Sequence, residues 1–231
     1  MIINNDLIKY AYIRGYLKLN NIHCNLYLLN KELLSLSNEE FNELNELAKA
    51  HNIKTYYFKE KELLPRVNIV LGFLKGIEPN SLLDVGSGRG VFLFPLLNEF
   101  PYLKITSIDI LKHRVKMLEY IKEGGISNLE VYNDDICSFN NNEKYEVVTL
   151  LEVLEHIIDV SKAIKNAINL SKKFIVVTVP SKEDNNPEHI HLLTKEKLTK
   201  LFNDLGVTNL KFSGVNNHLV LIARKSDENE W

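Results

Sequence analysis

"LLDVGSGRGVF", residues 82–92, reads as a strand running into a tight glycine turn and a helix start, with glycines at positions 86, 88 and 90. Such a turn lets the backbone approach a ligand closely, as nucleotide-binding α/β proteins require. The stretch lacks the Gly-Lys-Ser/Thr ending of a phosphate-gripping loop and is one residue shorter than the GxGxxG spacing of dinucleotide sites. Asp84 narrows the choice further. A carboxylate two positions before the first glycine would repel a bound pyrophosphate and suit a ligand that carries positive charge.

The same rhythm extends outward. "SLLDVG", "LKITSIDI", "LEVYNDD", "YEVVTLL" and "KFIVVTVP" are five successive β-rich runs, and the helical stretches between them predict a mostly parallel sheet covered on both faces. Helices are expected at roughly 90–100, 112–123 and 160–170. "TKEKLTKLFNDLG" supplies another, with Thr194 as N-cap and Gly206 closing its end. Pro95 falls within the first of these, so that helix starts late or bends. "VTNLKFSG" and "NHLVLIAR" finish the chain as a hairpin. The tail "KSDENEW" reads as a frayed end.

Residues 1–58 do not share this rhythm and read as a mainly helical extension, with residues 59–231 as the main domain. Ser37 and Glu40 make a capping box ahead of Phe41, Leu44, Leu47 and Ala48 at helical spacing, which gives an amphipathic helix in need of a partner surface. Tyr10, Tyr12, Tyr16, Tyr27, Tyr56 and Tyr57 crowd the same region. They either pack against the main domain or line a substrate lid.

Bulk properties bound the function. The chain has 231 residues, 45% of them hydrophobic, enough for one substantial core with an attachment. With 28 basic and 30 acidic residues its net charge is −2, so it has no strong basic surface to hold nucleic acid by gross electrostatics, and any RNA acceptor must be argued from the site. Cys24 and Cys137 form no metal or redox pattern and read as buried reduced thiols. No apolar run approaches the length of a membrane span, and no basic stretch leads into an apolar leader, so no membrane partner and a cytoplasmic location are expected.

Acidic residues recur at the strand ends. Asp109 ends the second run about twenty residues beyond the glycines, where a carboxylate can accept both hydroxyls of a ribose. Asp134 and Asp135 end the third, placed to take an adenine amino group. S-adenosylmethionine combines an adenosine with a sulfonium and an ammonium and has no phosphate, which suits Asp84. "LLDVGSGRG", "SIDI", "NDDI" and "VTLLEVLEH" together resemble the successive motifs of class I S-adenosylmethionine-dependent methyltransferases over roughly residues 63–225. The resemblance implies an α/β, Rossmann-like, seven-stranded and mostly parallel sheet with an antiparallel last strand. It also implies S-adenosylmethionine as cofactor, bound around Asp84, Gly86, Ser87, Gly88, Asp109, Ile110, Asp135, Ile136 and Leu151. The family usually carries a Gly-Gly turn before its fifth strand, where this chain has "NLSKKF", a departure remote from the cofactor. A nicotinamide-dependent oxidoreductase is the rival enzyme class, disfavoured by Asp84 and the short glycine spacing. A non-catalytic nucleotide-binding subunit is the rival outside enzymes.

"LLEVLEHI", residues 150–157, follows the fourth run, and in this fold the end of that strand lies beside the transferable methyl group. If the chain turns helical there, Glu152, Glu155 and His156 share one face. Two carboxylates and an imidazole suit Mg²⁺, Mn²⁺ or Fe²⁺, with a further ligand from "NPEHIHLLT", where His189 or His191 could reach and His191, nearer the Thr194 cap, is the better anchored. The ExxEH motif with a later histidine resembles the metal site of small-RNA 3′-terminal ribose 2′-O-methyltransferases. ExxEH also resembles the metal-dependent O-methyltransferases of ubiquinone biosynthesis. Both resemblances imply a metal that grips neighbouring acceptor oxygens, on an RNA end or on a catechol-like small molecule; the alternative is a metal-free methyltransferase acting on an oxygen or nitrogen of a small molecule or a protein. Metal-free relatives carry similar sequences, so three roles stay open: Glu152, Glu155, His156 and His191 as metal ligands; Glu152, His156 and His191 as catalytic groups without metal; or a structural role. An antiparallel last strand would also bring Asn217 and His218 to the cofactor rim.

Overall fold

The computed structural model describes residues 2–3, 6–58, 61–183 and 185–226. Of the tail expected to fray, residues 227–231 lie outside the described residues. The chain begins with β1 (Ile2–Ile3), α1 (Asp6–Leu19), α2 (Leu26–Asn30) and α3 (Asn38–Ala50), then β2 (Lys61–Glu62), which pairs antiparallel with β1. The alternating part follows: α4 (Pro65–Ile77), β3 (Ser81–Val85), α5 (Leu93–Glu99), β4 (Lys104–Asp109), α6 (Lys112–Glu123), β5 (Leu129–Asn133) and β6 (Tyr145–Leu151). It ends with α7 (Val160–Leu170), β7 (Ser171–Pro180), α8 (Lys195–Asp204), β8 (Asn209–Val215) and β9 (His218–Arg224).

Seven strands form one sheet in the order β5-β4-β3-β6-β7-β9-β8. The first five are parallel, and β9 runs antiparallel to both of its neighbours. The expected α/β sheet with an antiparallel last strand is therefore present. From β3 the chain steps outward to β4 and β5, then returns to the other side of β3 as β6. Ligands of open α/β sheets bind at such a reversal, outside the carboxyl ends of the strands.

The sequence explains the layers. Leu82, Leu83 and Val85 of β3, and Val147, Val148 and Leu150 of β6, are buried almost without interruption, because both faces of a parallel sheet are covered. Val160, Ala163, Ile164, Ala167 and Ile168 of α7 are buried at helical spacing, and Asp159 caps the helix by accepting from the Lys162 amide at 2.9 Å. α5 begins at Leu93 with Pro95 in its first turn, where a missing amide hydrogen is tolerated. Where a Gly-Gly turn was absent from the sequence, α7 passes into β7 with no intervening residue.

The N-terminal segment is part of the main packing. Ile8, Ile13 and Leu17 of α1 belong to the same apolar cluster as Leu82, Ile105, Val147 and Val176 of the sheet. α1 lies against α6 so closely that a side chain on Gly15 would overlap the Tyr120 carbonyl, and one on Gly124 would overlap the Ala11 carbonyl. The capping box expected at Ser37 and Glu40 is formed. Arg14, buried in this unit, donates through Nη2 to the Leu29 and Lys31 carbonyls at 2.6 and 2.5 Å, at the C-terminal end of α2. Tyr10 and Tyr12 are buried here, whereas Tyr27 and Tyr56 are exposed. The two cysteines are half-buried free thiols rather than fully buried ones. Among the described residues no helix is long and apolar enough to cross a membrane.

Candidate active site

The glycine loop closes over the end of β3. The Gly86 amide donates to the Ile108 carbonyl at 2.8 Å, fastening the turn to β4. Gly86 has φ 67°, and a side chain there would run into Val153, so both backbone and packing demand glycine. Gly88 is different: it too has positive φ, but beyond its own loop it faces open space.

Beneath the loop, Asp84 is buried and accepts from Ser87 Oγ at 2.5 Å and Thr149 Oγ1 at 2.8 Å. Burial pushes its carboxyl up to about 6, the two hydroxyl hydrogen bonds pull the other way, and the Asp109 charge adds to the rise. Asp109 ends β4 and accepts from the Gly88 amide (3.0 Å) and the Leu111 amide (2.8 Å). Two bonds leave acceptor sites on its carboxylate for a ligand. A cavity of about 150 Å³ opens here, lined among others by Arg66, Asp84, Gly86, Ser87, Gly88, Leu151 and Glu152.

Further along the same edge, Ile110 is 67% exposed, an apolar surface beside Asp109 that a planar base could cover. Asp135 is exposed, and its Oδ1 accepts from the Cys137 amide at 2.8 Å. The Ile136 side chain is buried in an apolar cluster with Val85, Ile108 and Val148, so only its backbone is presented to a ligand.

After β6 the chain does not become α-helical. Glu152 adopts a left-handed backbone, φ 58°, and a single 3₁₀ turn spans Leu154–His156. That turn separates the residues expected on one face. The Glu152 carboxylate accepts from Thr178 Oγ1 at 2.7 Å, lies 3.0 Å from His218 Nε2, and has Arg66 Nε at 3.8 Å. Glu155, buried, points to a second group: single ligand atoms of Glu155, His156 and His189 lie within 4.8 Å of one another. Of the four residues expected around an ion, Glu155 and His156 are thus together, while Glu152 and His191 are not among that set. His189 stands where His191 was favoured. The 189–190 segment is tied down, because the Ile190 amide donates to the Glu155 carbonyl at 2.9 Å. His191 instead buries an Nε2 that has no hydrogen-bond partner among the described residues.

His156 Nδ1 lies 2.9 Å from the Glu188 carbonyl. A carbonyl only accepts, so Nδ1 carries a hydrogen, and in the neutral ring the lone pair is then on Nε2. His218, expected near the rim, contacts Glu152 through Nε2 and the Asn216 carbonyl through Nδ1 at 2.8 Å.

The sequence profile of the family described as "Methyltransferase domain" matches residues 57–211. The chain belongs to this family, within the class I S-adenosylmethionine-dependent methyltransferases. Curated relatives include "Ribosomal RNA small subunit methyltransferase G" of Listeria monocytogenes serotype 4b, 30% identical over 128 residues, 53% of this chain and 51% of the relative. The chain spans about half the length of the curated relatives it matches. Among solved structures it is similar to an O-methyltransferase family protein from Burkholderia thailandensis, with TM-score 0.60, 15% identity, and 94% and 72% of the two chains covered. It is also similar to the magnesium protoporphyrin IX methyltransferase of Synechocystis with bound SAH, with TM-score 0.57, 14% identity, and 93% and 98% covered. At these identities the structural likeness speaks for the fold.

The residues present in this methyltransferase fit S-adenosylmethionine. Gly88 presents bare backbone to open space, Asp84 puts a carboxyl under the loop that a cationic centre would suit, and Asp109 retains acceptor sites that ribose hydroxyls would fit. Sequence reasoning missed Arg66, which lines the cavity and faces Glu152, and Thr178, which holds that carboxylate. Neither had a local signal. Arg66 follows Pro65 in what reads as an ordinary helix start, and Thr178 lies within a run of buried strand residues.

Proposed function

We propose that this chain transfers the methyl group of S-adenosylmethionine to a hydroxyl oxygen of an acceptor, and that the acceptor is RNA. The cofactor, when bound, supplies the electrophilic methyl group. The chain's own contribution is alignment of the acceptor and removal of its proton. The observation that carries the reading is the hydrogen bond from His156 Nδ1 to the Glu188 carbonyl, which in the neutral ring puts the proton-accepting lone pair on Nε2. His156 follows the strand whose end adjoins the glycine loop. Glu155 and His189 flank it, and Glu152 is anchored by Thr178 and His218 as a second carboxylate at the cavity wall. The curated relatives named as ribosomal RNA methyltransferases support RNA as the acceptor class.

A second reading rests on the cluster itself. Glu155, His156 and His189 combine one hard oxygen donor with two imidazoles, a set suited to a Mn²⁺- or Fe²⁺-like divalent ion, less to Mg²⁺. A bound ion would supply positive charge at the acceptor oxygen.

One assay separates the readings: S-adenosylhomocysteine production on oligoribonucleotides and on a catechol-like compound, with chelator and with added Mg²⁺, Mn²⁺ or Fe²⁺. Base catalysis by His156 predicts chelator-insensitive turnover that falls by about 10²–10⁴-fold in His156→Ala, while cofactor binding is retained. Loss of activity with chelator and its return with an ion would replace that reading with the metal-held one. Turnover on the catechol alone would remove RNA as the acceptor. No S-adenosylhomocysteine from either acceptor, together with no cofactor binding by calorimetry, would remove the methyltransferase reading itself.

A further inference from the structure

Beside the glycine loop lies an aromatic and cationic surface that extends outward from the cofactor cavity, whose wall includes Arg89 and Val91. Tyr56, Tyr57 and Phe58 form a 3₁₀ turn. Phe58 is buried and stacks on Phe94 with centroids 5.3 Å apart, and the Phe94 ring fills the space beside Gly90 so closely that any side chain there would overlap it. The turn is therefore bolted to the glycine loop. It holds Tyr56 outward, 53% exposed, its ring 4.0 Å from that of Tyr57 and its hydroxyl donating to the Tyr57 hydroxyl at 2.5 Å. Val91 and Leu111, each 47% exposed, add apolar area at the neighbouring loop ends.

Positive charge accompanies these rings. Arg89 of the glycine loop and Arg114 in the first turn of α6 lie near enough to Tyr56 to favour its phenolate, against the rise caused by the Tyr57 hydrogen bond and burial. Among the described residues neither guanidinium has an ion-pair or hydrogen-bond partner. The first turn of α6 carries Lys112, His113 and Arg114 and no acidic residue. An exposed, rigidly held aromatic pair next to unpaired guanidinium groups is the arrangement that binds single-stranded nucleic acid, one component stacking on a base and the other meeting a phosphate.

We infer that Tyr56 and Tyr57 stack one base of the acceptor RNA while Arg114 meets an adjacent phosphate, so that the strand is held across the glycine loop toward the end of β6. This assignment rests on the proposed RNA methyltransferase reading and explains how a chain of net charge −2 can hold a polyanion. The patch is local, and only a few phosphates need be neutralised.

The test uses the full chain, a fluorescein-labelled ten-nucleotide single-stranded oligoribonucleotide read by anisotropy, and S-adenosylhomocysteine read by calorimetry. Tyr56→Ala is expected to weaken RNA binding about tenfold, and Tyr56→Phe to stay within about twofold of the original, because stacking needs the ring and not the hydroxyl. Arg114→Ala should reduce the slope of log affinity against log salt by about one. All three variants should bind S-adenosylhomocysteine as the parent does, and adenosine monophosphate should not compete with the oligonucleotide. Unchanged RNA affinity in Tyr56→Ala and Arg114→Ala would overturn the assignment while leaving RNA as the acceptor. Weakened cofactor binding with unchanged RNA affinity would make the pair a cofactor lid and overturn it. Full competition by the mononucleotide would replace RNA with a free nucleotide. A parent protein that binds the cofactor but no RNA would remove both this assignment and the RNA reading, leaving methyl transfer standing.

Discussion

The α1–α6 seam and the carboxyl edge of the sheet treat backbone and charge in opposite ways. In the seam, Gly15 and Gly124 remove side chains so that helix backbones touch, and the buried residues around them are mostly apolar. At the sheet edge, Asp84 is a buried carboxyl, Glu152 holds a left-handed backbone that costs about 1 kcal/mol or more, and Ile110 is left bare. One region is built to hold the fold together. The other accepts destabilising features because a ligand is to occupy it.

The sharpest way to break the contrast is to insert bulk in the seam. Gly124→Val would force α6 away from the Ala11 carbonyl and is expected to cost about 3 kcal/mol or more, seen as a large fall in the urea midpoint or as failure to fold. A near-parental midpoint would mean that α1 is loosely attached after all, and the lid reading of residues 1–58 would return.

At the edge the same logic predicts a gain. The folded pKa of Asp84, about 6, lies above the ordinary aspartate value of 3.8, so between those values the folded chain binds more protons than the unfolded one, and stability falls as pH rises through that window. Above it the full cost is present, on the order of 3 kcal/mol at 1.36 kcal/mol per unit. Asp84→Asn should therefore be more stable than the parent at pH 8, by about 1–3 kcal/mol, with the advantage fading toward pH 4. It should also bind S-adenosylmethionine more weakly. Equal stability at both pH values, measured by thermal melts, would show that Asp84 carries no stored cost.

Asp109→Ala tests the edge for binding rather than stability. Losing the ribose acceptor should weaken S-adenosylhomocysteine by about 1.5–3 kcal/mol, the scale of hydrogen bonds to a charged group. Calorimetry that finds unchanged affinity would move the adenosine elsewhere along the sheet. The smallest effect belongs to the N-terminal side: Ser37→Ala removes one half of the capping box and should cost about 1 kcal/mol, with no change in cofactor affinity. A drop in cofactor affinity there would mean that the two regions are coupled.

Much of the candidate site was legible because its residues are placed by short spans of chain. The loop at 86–90, the acid ending β4 and the carboxylate preceding the glycines are each read from a strand-turn-helix pattern of about ten residues. The metal-like cluster was legible only in part. Its spacing suggested a helical face, but Glu152 takes a positive φ, and the hydrogen bond to Thr178 together with the His218 contact draws that carboxylate away from Glu155. His189 and His191, two apart in an irregular loop, could not be ranked without knowing that the Ile190 amide bonds the Glu155 carbonyl.

By itself, the sequence determined the strand rhythm, the sheet class, the glycine loop and the acidic strand ends, because alternation, apolar runs and tight turns are local consequences of side-chain period and backbone freedom. Tertiary structure alone decided which carboxylate joins His156, that Arg66 reaches Glu152, that residues 6–58 share the core of the sheet, and that Tyr56 stands exposed near Arg89 and Arg114. Those facts bring together residues tens of positions apart, and their contacts are set by the path of the chain between them, which no short spacing encodes.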